Sequence, residues 1–592
     1  MVKPLAPSEQ TAASEASRPN IVFIYLDDQG FNDMGPASTD YADLTPNVDL
    51  VAAEGLWLTS YYGQEACTPS RAALLTGIYP VHTGMQYGIL TSNDPWGLPT
   101  EYKLLPEYLK AAGNYTTHLV GKWHLGHFAK TRLPQQRGFD TFFGYYSGFT
   151  SYFSHVSEIT LCDSDSAGCW YDLHNQEEPV RAAGVYNQDM FAKQVHDLID
   201  AHGALLNASQ SAGSGSGSGG GGSSSSNPEQ QQQQQDEARP MFLYYAMGVV
   251  HAPLQCPEAQ LEKNAGRLAH IPNAQRRVHA CMTTVLDDGV GDVVDALKTN
   301  GLYDDTLLVI ASDNGANPQV DGGGSNWPLR GKKGDFFEGG VRVHAVLRSA
   351  AVPAHLRGGT YGGLFHVTDW LPTILLGVLG APDTLKPVGG TIDGVNHWRS
   401  MVTGKADAYP RTNLVHSISP VFFTSPNGTI SSYMTGAIRH GDYKLIVNAA
   451  YAPSWSVPTT PTIGDGSTLG DAVQALLDQT PYQKQNFLFN IADDPTELVD
   501  LKDTSSEIYD YMLKAFTALS ARAKAPEYCG VDDTADAEAV FEVSHFLGPW
   551  RKDDVQTKAE CLSLGSELGI KHTLKTTCMY SLGSEEDCEA MI

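Results

Sequence analysis

The run Ile21-Val22-Phe23-Ile24-Tyr25-Leu26 stops abruptly at Asp27-Asp28. Unbroken apolar character over so short a stretch fits a strand buried on both faces, as in a parallel sheet. Residues 241–247, 306–311 and 341–347 read the same way, and the second of these closes on Ser312-Asp313-Asn314-Gly315. Residues 277–298 predict a helix, because Cys281, Val285, Val290, Val293 and Leu297 recur near helical spacing before Asn300-Gly301 stops it. Residues 186–206 predict another amphipathic helix. Strands alternating with helices imply an α/β fold, a mostly parallel sheet sandwiched by helices. Near residues 404–410 the texture changes. Beyond them, 437–447 and 486–491 read as strands and 508–521 as a helix, which predicts a smaller C-terminal α+β domain.

In open α/β sheets, sites form beyond the C-terminal ends of strands. Asp27, Asp28, Asp313 and Asn314 all stand there, and convergence of these oxygen donors demands a compensating cation. A second chemical signal is Cys67-Thr68-Pro69-Ser70-Arg71, running on to Leu74-Leu75-Thr76-Gly77. Proline at the first helical position and glycine past the last turn would frame a short helix with a thiol at its mouth. A helix N-terminus favours an anion, and Arg71 adds a fixed cation one turn along. Taken singly, these residues also read as a buried cysteine and ordinary turn or cap residues.

At 592 residues the chain exceeds one ordinary core, and 42% hydrophobic content marks it as globular. A net charge of −28 argues against nucleic-acid binding. No apolar run is long enough to span a bilayer, and the first eighteen residues contain no apolar core of a secretory leader. Glycines and serines at 213–226, then glutamines at 230–235, form a low-complexity insert that cannot bury enough apolar surface to order itself. Cys162 and Cys169 close a short loop and could pair in an oxidising compartment. Cys529, Cys561, Cys578 and Cys588 crowd the C-terminal end, where further bridges are possible and a zinc site is not indicated. Asn114, Asn207 and Asn427 open glycosylation sequons.

Further motifs keep order with these: Gly121-Lys122-Trp123-His124, His251-Ala252-Pro253-Leu254, Trp327-Pro328-Leu329-Arg330-Gly331-Lys332-Lys333 and Glu338-Gly339-Gly340. Ile438-Arg439-His440-Gly441-Asp442-Tyr443-Lys444-Leu445 and Leu488-Phe489-Asn490-Ile491 follow downstream. The ordered set resembles the type I sulfatases, most of all their arylsulfatase B-like branch, from about Pro19 to Leu501. The resemblance implies an alkaline-phosphatase-like catalytic domain at 19–405, interrupted by the insert at 203–239. A short extension at 1–18 would precede it, and a smaller domain with a cysteine-containing tail at 406–592 would follow.

It also implies that Cys67 is converted by a separate formylglycine-generating enzyme to formylglycine, whose hydrated aldehyde is the nucleophile. One hydroxyl would attack sulfur and the second would expel sulfate by collapse to the aldehyde. Asp27, Asp28, Asp313 and Asn314, with the modified Cys67, would hold a divalent cation. Hard oxygen ligands suit Ca2+ better than Mg2+. Lys122, Lys333 and His251 would surround the sulfate, with His251 as general acid. His124 and Arg71 would orient the formylglycine. Asp369 reads as the N-cap of a following helix.

The implied function is hydrolysis of a carbohydrate or aryl sulfate on the secretory route, lysosomal or extracellular. Residues 87–100 lack cysteines that related enzymes use there, so the sugar is left open, as is the oligomeric state. Two other readings share the motifs: a phosphate or phosphonate ester hydrolase, and a protein that binds sulfated glycans without cleaving them.

Overall fold

The computed structural model describes residues 18–157, 170–214, 239–318, 323–381, 392–406, 409–424, 430–449, 485–524, 526–527 and 546–551. The low-complexity run 215–235, Asn427 and the Cys162, Cys169 and C-terminal cysteines lie outside these residues.

Asn20–Leu26 is the centre of a ten-stranded sheet, and all seven of its residues are buried. It is flanked in parallel by Thr306–Ser312 on one side and Met241–Ala246 on the other, followed outward by Thr116–Lys122 and Thr141–Tyr145. Alternate residues serve opposite faces. Ile21, Phe23 and Tyr25 join one apolar core with Leu74, Leu75, Leu105 and Trp370. Val22, Ile24 and Leu26 join the other with Phe191, Val195, Leu286, Val290 and Leu297. Each such side chain removed from water stabilises the fold by roughly 1.5–3 kcal/mol. Two cores, one per face, explain why the strands lack the alternating pattern of a half-exposed sheet.

Local features sharpen the sequence reading. The helix expected at 277–298 spans Ala274–Thr299, started by Asn273, whose side chain accepts from Arg276 N. The helix expected at 186–206 runs Asn187–Ser214. The strand expected at 341–347 is Ala345–Arg348, antiparallel to Thr306–Ser312, while Val341 closes the helical turn Glu338–Val341. Cys281, read as one apolar helix position among several, is disulfide-bonded to Cys256.

A separate four-stranded antiparallel sheet follows: Asn413–Thr424, Ile430–His440, Tyr443–Ala449 and Gln485–Asn490. The stretch 437–447, expected as one strand, is two, because Gly441 at φ 58° turns the chain between His440 and Tyr443. One face packs on Ser506–Ser520 through Met512 and Phe516. The other packs Ala437, Ile446, Phe487 and Phe489 against Phe337 of the larger domain.

Candidate active site

Leu26 pairs with Ser312 in the parallel register, so Asp27-Asp28 and Asp313-Asn314 leave the sheet side by side. The two strands on the far side deliver Lys122, the last residue of Thr116–Lys122, and His251, just beyond Met241–Ala246. Cys67 is the first residue of the helix Cys67–Thr76, every residue of which is buried. Pro69 therefore occupies the third helical position, not the first, while Gly77 caps the end at φ 69° as expected. The thiol lies 3.5 Å from Asp27 Oδ1 and 3.9 Å from Asp28 Oδ1.

Three carboxylates face three cations. Lys122 Nζ is 2.7 Å from Asp27 Oδ2, and Lys333 Nζ is 2.6 Å from Asp28 Oδ1. Arg71 Nη2 donates to Asp313 Oδ2 at 2.7 Å and approaches Asp27 Oδ1 at 3.5 Å. These three side chains offset part of the negative charge that the converging Asp27, Asp28 and Asp313 bring together. Of the two lysines that end the loop motif, Lys333 enters the cluster, and Lys332 Nζ turns to a backbone carbonyl at 3.5 Å. His251 Nδ1 donates to Ala252 O at 2.6 Å, which points Nε2 at Asp28 Oδ2, 3.6 Å away.

These contacts set the protonation states. Burial alone would raise Asp27 and Asp28, but Lys122 and His251 at the first, and Lys333 and His251 at the second, hold both below the usual carboxylate range. Asp313 is pushed up to about 6 by burial and by Asp27. Burial pushes the Cys67 thiol up to about 12, so as a thiol it stays protonated and is a poor nucleophile at neutral pH. His251 is lowered by burial and by Lys333. Asp28 and His124 also share left-handed backbone, at φ 60° and 55°, a strain that clusters at functional sites.

The cluster offers a set of donors for a metal ion. Ligand atoms of Asp27, Asp28, Cys67 and His251 lie within 4.8 Å of one another. Asn314 Oδ1 is buried with no hydrogen-bond partner, while its Nδ2 donates to Asp28 Oδ1 at 2.7 Å. A buried carbonyl oxygen with no hydrogen-bond partner beside carboxylates is a donor that suits a metal ion.

Some expected contacts take another form, and others carried no sequence signal. His124 meets the Cys67 helix through Thr68, whose Oγ1 is 3.1 Å from His124 Nε2; that nitrogen donates to Leu90 O at 2.9 Å. Ser70 Oγ donates to Asp313 O at 2.7 Å and locks the helix to the strand end. Both residues lie inside the Cys67 motif, where their types were visible and their partners were not. Asp369 does not cap forward with its side chain. It accepts from His366 N and pairs with Arg411 and His397 in a buried network.

A helix-sandwiched, mostly parallel sheet carrying this cluster at its strand ends is the alkaline-phosphatase-like fold. Residues 19–380 match the sulfatase family, and the chain belongs to it as a sulfuric ester hydrolase. Arylsulfatase J of Mus musculus is 32% identical over 559 residues, spanning 93% of this chain and 83% of that protein. Arylsulfatase A of Homo sapiens is 33% identical over 450 residues, spanning 72% and 75%. The crystal structure of Ps i-CgsB shares the fold with a TM-score of 0.62 at 24% identity, covering 89% of this chain and 99% of that one.

Proposed function

We propose that this sulfatase cleaves carbohydrate or aryl sulfates with a formylglycine made from Cys67 by a formylglycine-generating enzyme, beside a calcium ion held by Asp27, Asp28, Asp313 and Asn314. The observation that carries the reading is the placement of Cys67 Sγ at 3.5 and 3.9 Å from Asp27 and Asp28, with Lys122, Lys333 and His251 around the same carboxylates. Sγ stands in for one of the two hydroxyls that the hydrated aldehyde would carry on the same carbon. When present, formylglycine supplies the nucleophilic oxygen and calcium a Lewis acid.

The chain's own residues do the rest. Lys122 and Lys333 neutralise charge on the sulfuryl oxygens, a contribution that cations held in place by ion pairs make without reorganising. His251, its ring fixed by the bond from Nδ1 to Ala252 O, protonates the departing alcohol from Nε2 in its imidazolium form, which Asp28 at 3.6 Å favours. Arg71 holds Asp313 and Asp27 in place, and His124 steadies the helix mouth through Thr68. Catalysis is assigned to residues 19–405, with 406–592 as the smaller domain.

The Cys256–Cys281 disulfide, and the exposed sequon residues Asn114 and Asn207, support maturation on the secretory route. No helix among the described residues is long and apolar enough to cross a membrane. Turnover of nitrophenyl sulfate against nitrophenyl phosphate tests the reading. Sulfate is expected to be the better substrate, and a clear preference for phosphate overturns it.

A further inference from the structure

Access to the cluster is restricted. The side chains of Asp27, Lys122 and Arg71 are 0% exposed and that of Asp28 is 4%, whereas His251 reaches 16% and Lys333 11%. A substrate therefore enters beside His251 and Lys333. Phe149 stacks on His251 there, with ring centroids 5.3 Å apart and planes 20° apart. It is partly exposed and stands outside the two cores that flank the sheet.

The surrounding segment holds Phe149 firmly. Asp172 accepts from Tyr146 N at 2.9 Å and from Ser147 N at 2.8 Å, and Ser147 Oγ donates to Phe149 O at 3.0 Å. Tyr152 OH lies 2.7 Å from both Gly248 O and His251 O, its one proton shared between them, and so clamps the segment to the His251 turn. A rigid aromatic at the mouth of a charged site, with no core to fill, is the usual means of gripping the flat apolar face of a ring.

We propose that Phe149 selects ring-bearing leaving groups, stacking the aryl or pyranose ring of the substrate while its sulfate enters beside His251 and Lys333. This inference rests on the sulfatase reading of the site. Calorimetric titration of the calcium-loaded, full-length protein with Cys67 unmodified separates the two, because it needs no turnover. The probes are phenyl sulfate and inorganic sulfate. Phe149→Leu is expected to weaken phenyl sulfate by roughly three- to tenfold, the scale of one aromatic contact, and to leave inorganic sulfate unchanged. Phe149→Trp restores the affinity for phenyl sulfate. Unaltered phenyl sulfate binding by Phe149→Leu, or an equal loss for both anions, overturns the role of Phe149 alone. Wild-type protein that binds neither anion overturns the proposed sulfate site as well.

Discussion

Lys333 Nζ lies 2.6 Å from Asp28 Oδ1, across 305 residues of sequence. The pairing joins a loop near the smaller domain to the end of the central strand, and it sets a partly exposed ammonium beside the carboxylate cluster. Lys333→Ala, and likewise His251→Ala, should lower kcat by roughly 10²–10³ through lost transition-state stabilisation. Cooperative unfolding should persist, as read by circular dichroism. Folded variants that keep full specific activity contradict both roles.

Gly148 packs against His124 so closely that an added Cβ would sit 2.9 Å from Nε2 and 3.0 Å from Cε1. His124 is fixed by Leu90 and Thr68 and cannot yield freely. Gly148→Ala should therefore cost about 1–3 kcal/mol of stability and reduce kcat by tilting the ring. Thermal melting and steady-state kinetics check this; a variant unchanged in both refutes the contact.

Lys444 is buried between the domains, 2.9 Å from Glu338 and 3.0 Å from Glu497. Lys444→Met leaves both acids without that cation and should destabilise the protein by about 3–5 kcal/mol in urea unfolding. A loss below about 1 kcal/mol would show that Arg342 and Tyr62 suffice for Glu338.

The same cluster gives a pH signature. Burial, with Glu338 adding to it, pushes Glu497 from 4.5 up to about 7. An acid raised on folding stabilises the native state below its unfolded pKa, and that stability is lost as pH rises through the folded one. Glu497→Gln mimics the protonated form, so it should match wild type near pH 4.5 and gain on it up to pH 7. The gain is at most about 1.4 kcal/mol per pH unit. A difference that does not change with pH contradicts the assignment.

Removing calcium should abolish turnover and lower the melting temperature, because an ion bound only by the folded chain stabilises it by mass action. Calcium, added back, should restore both. Full activity in excess chelator, with no shift in melting, contradicts a metal at Asp27, Asp28, Asp313 and Asn314.

The central strands were readable because a strand buried on both faces must be apolar throughout, as 21–26 and 306–311 are. The site followed because its acids directly succeed those strands. Pairings across loops left no such trace. Cys256 and Cys281 are 25 residues apart, one of them in a helix where cysteine passes as an ordinary apolar residue. Phe149 and Gly148 touch the two site histidines from a segment with no motif of its own. The turn at Gly441 does carry its own signal, the polar run Arg439-His440-Gly441-Asp442 between the apolar parts of two strands.

The mass of the peptide containing Cys67, from protein purified from its native source, bears most directly on the proposed chemistry. An aldehyde in place of the thiol is the predicted result. A wholly unmodified thiol in protein that still releases sulfate would contradict it.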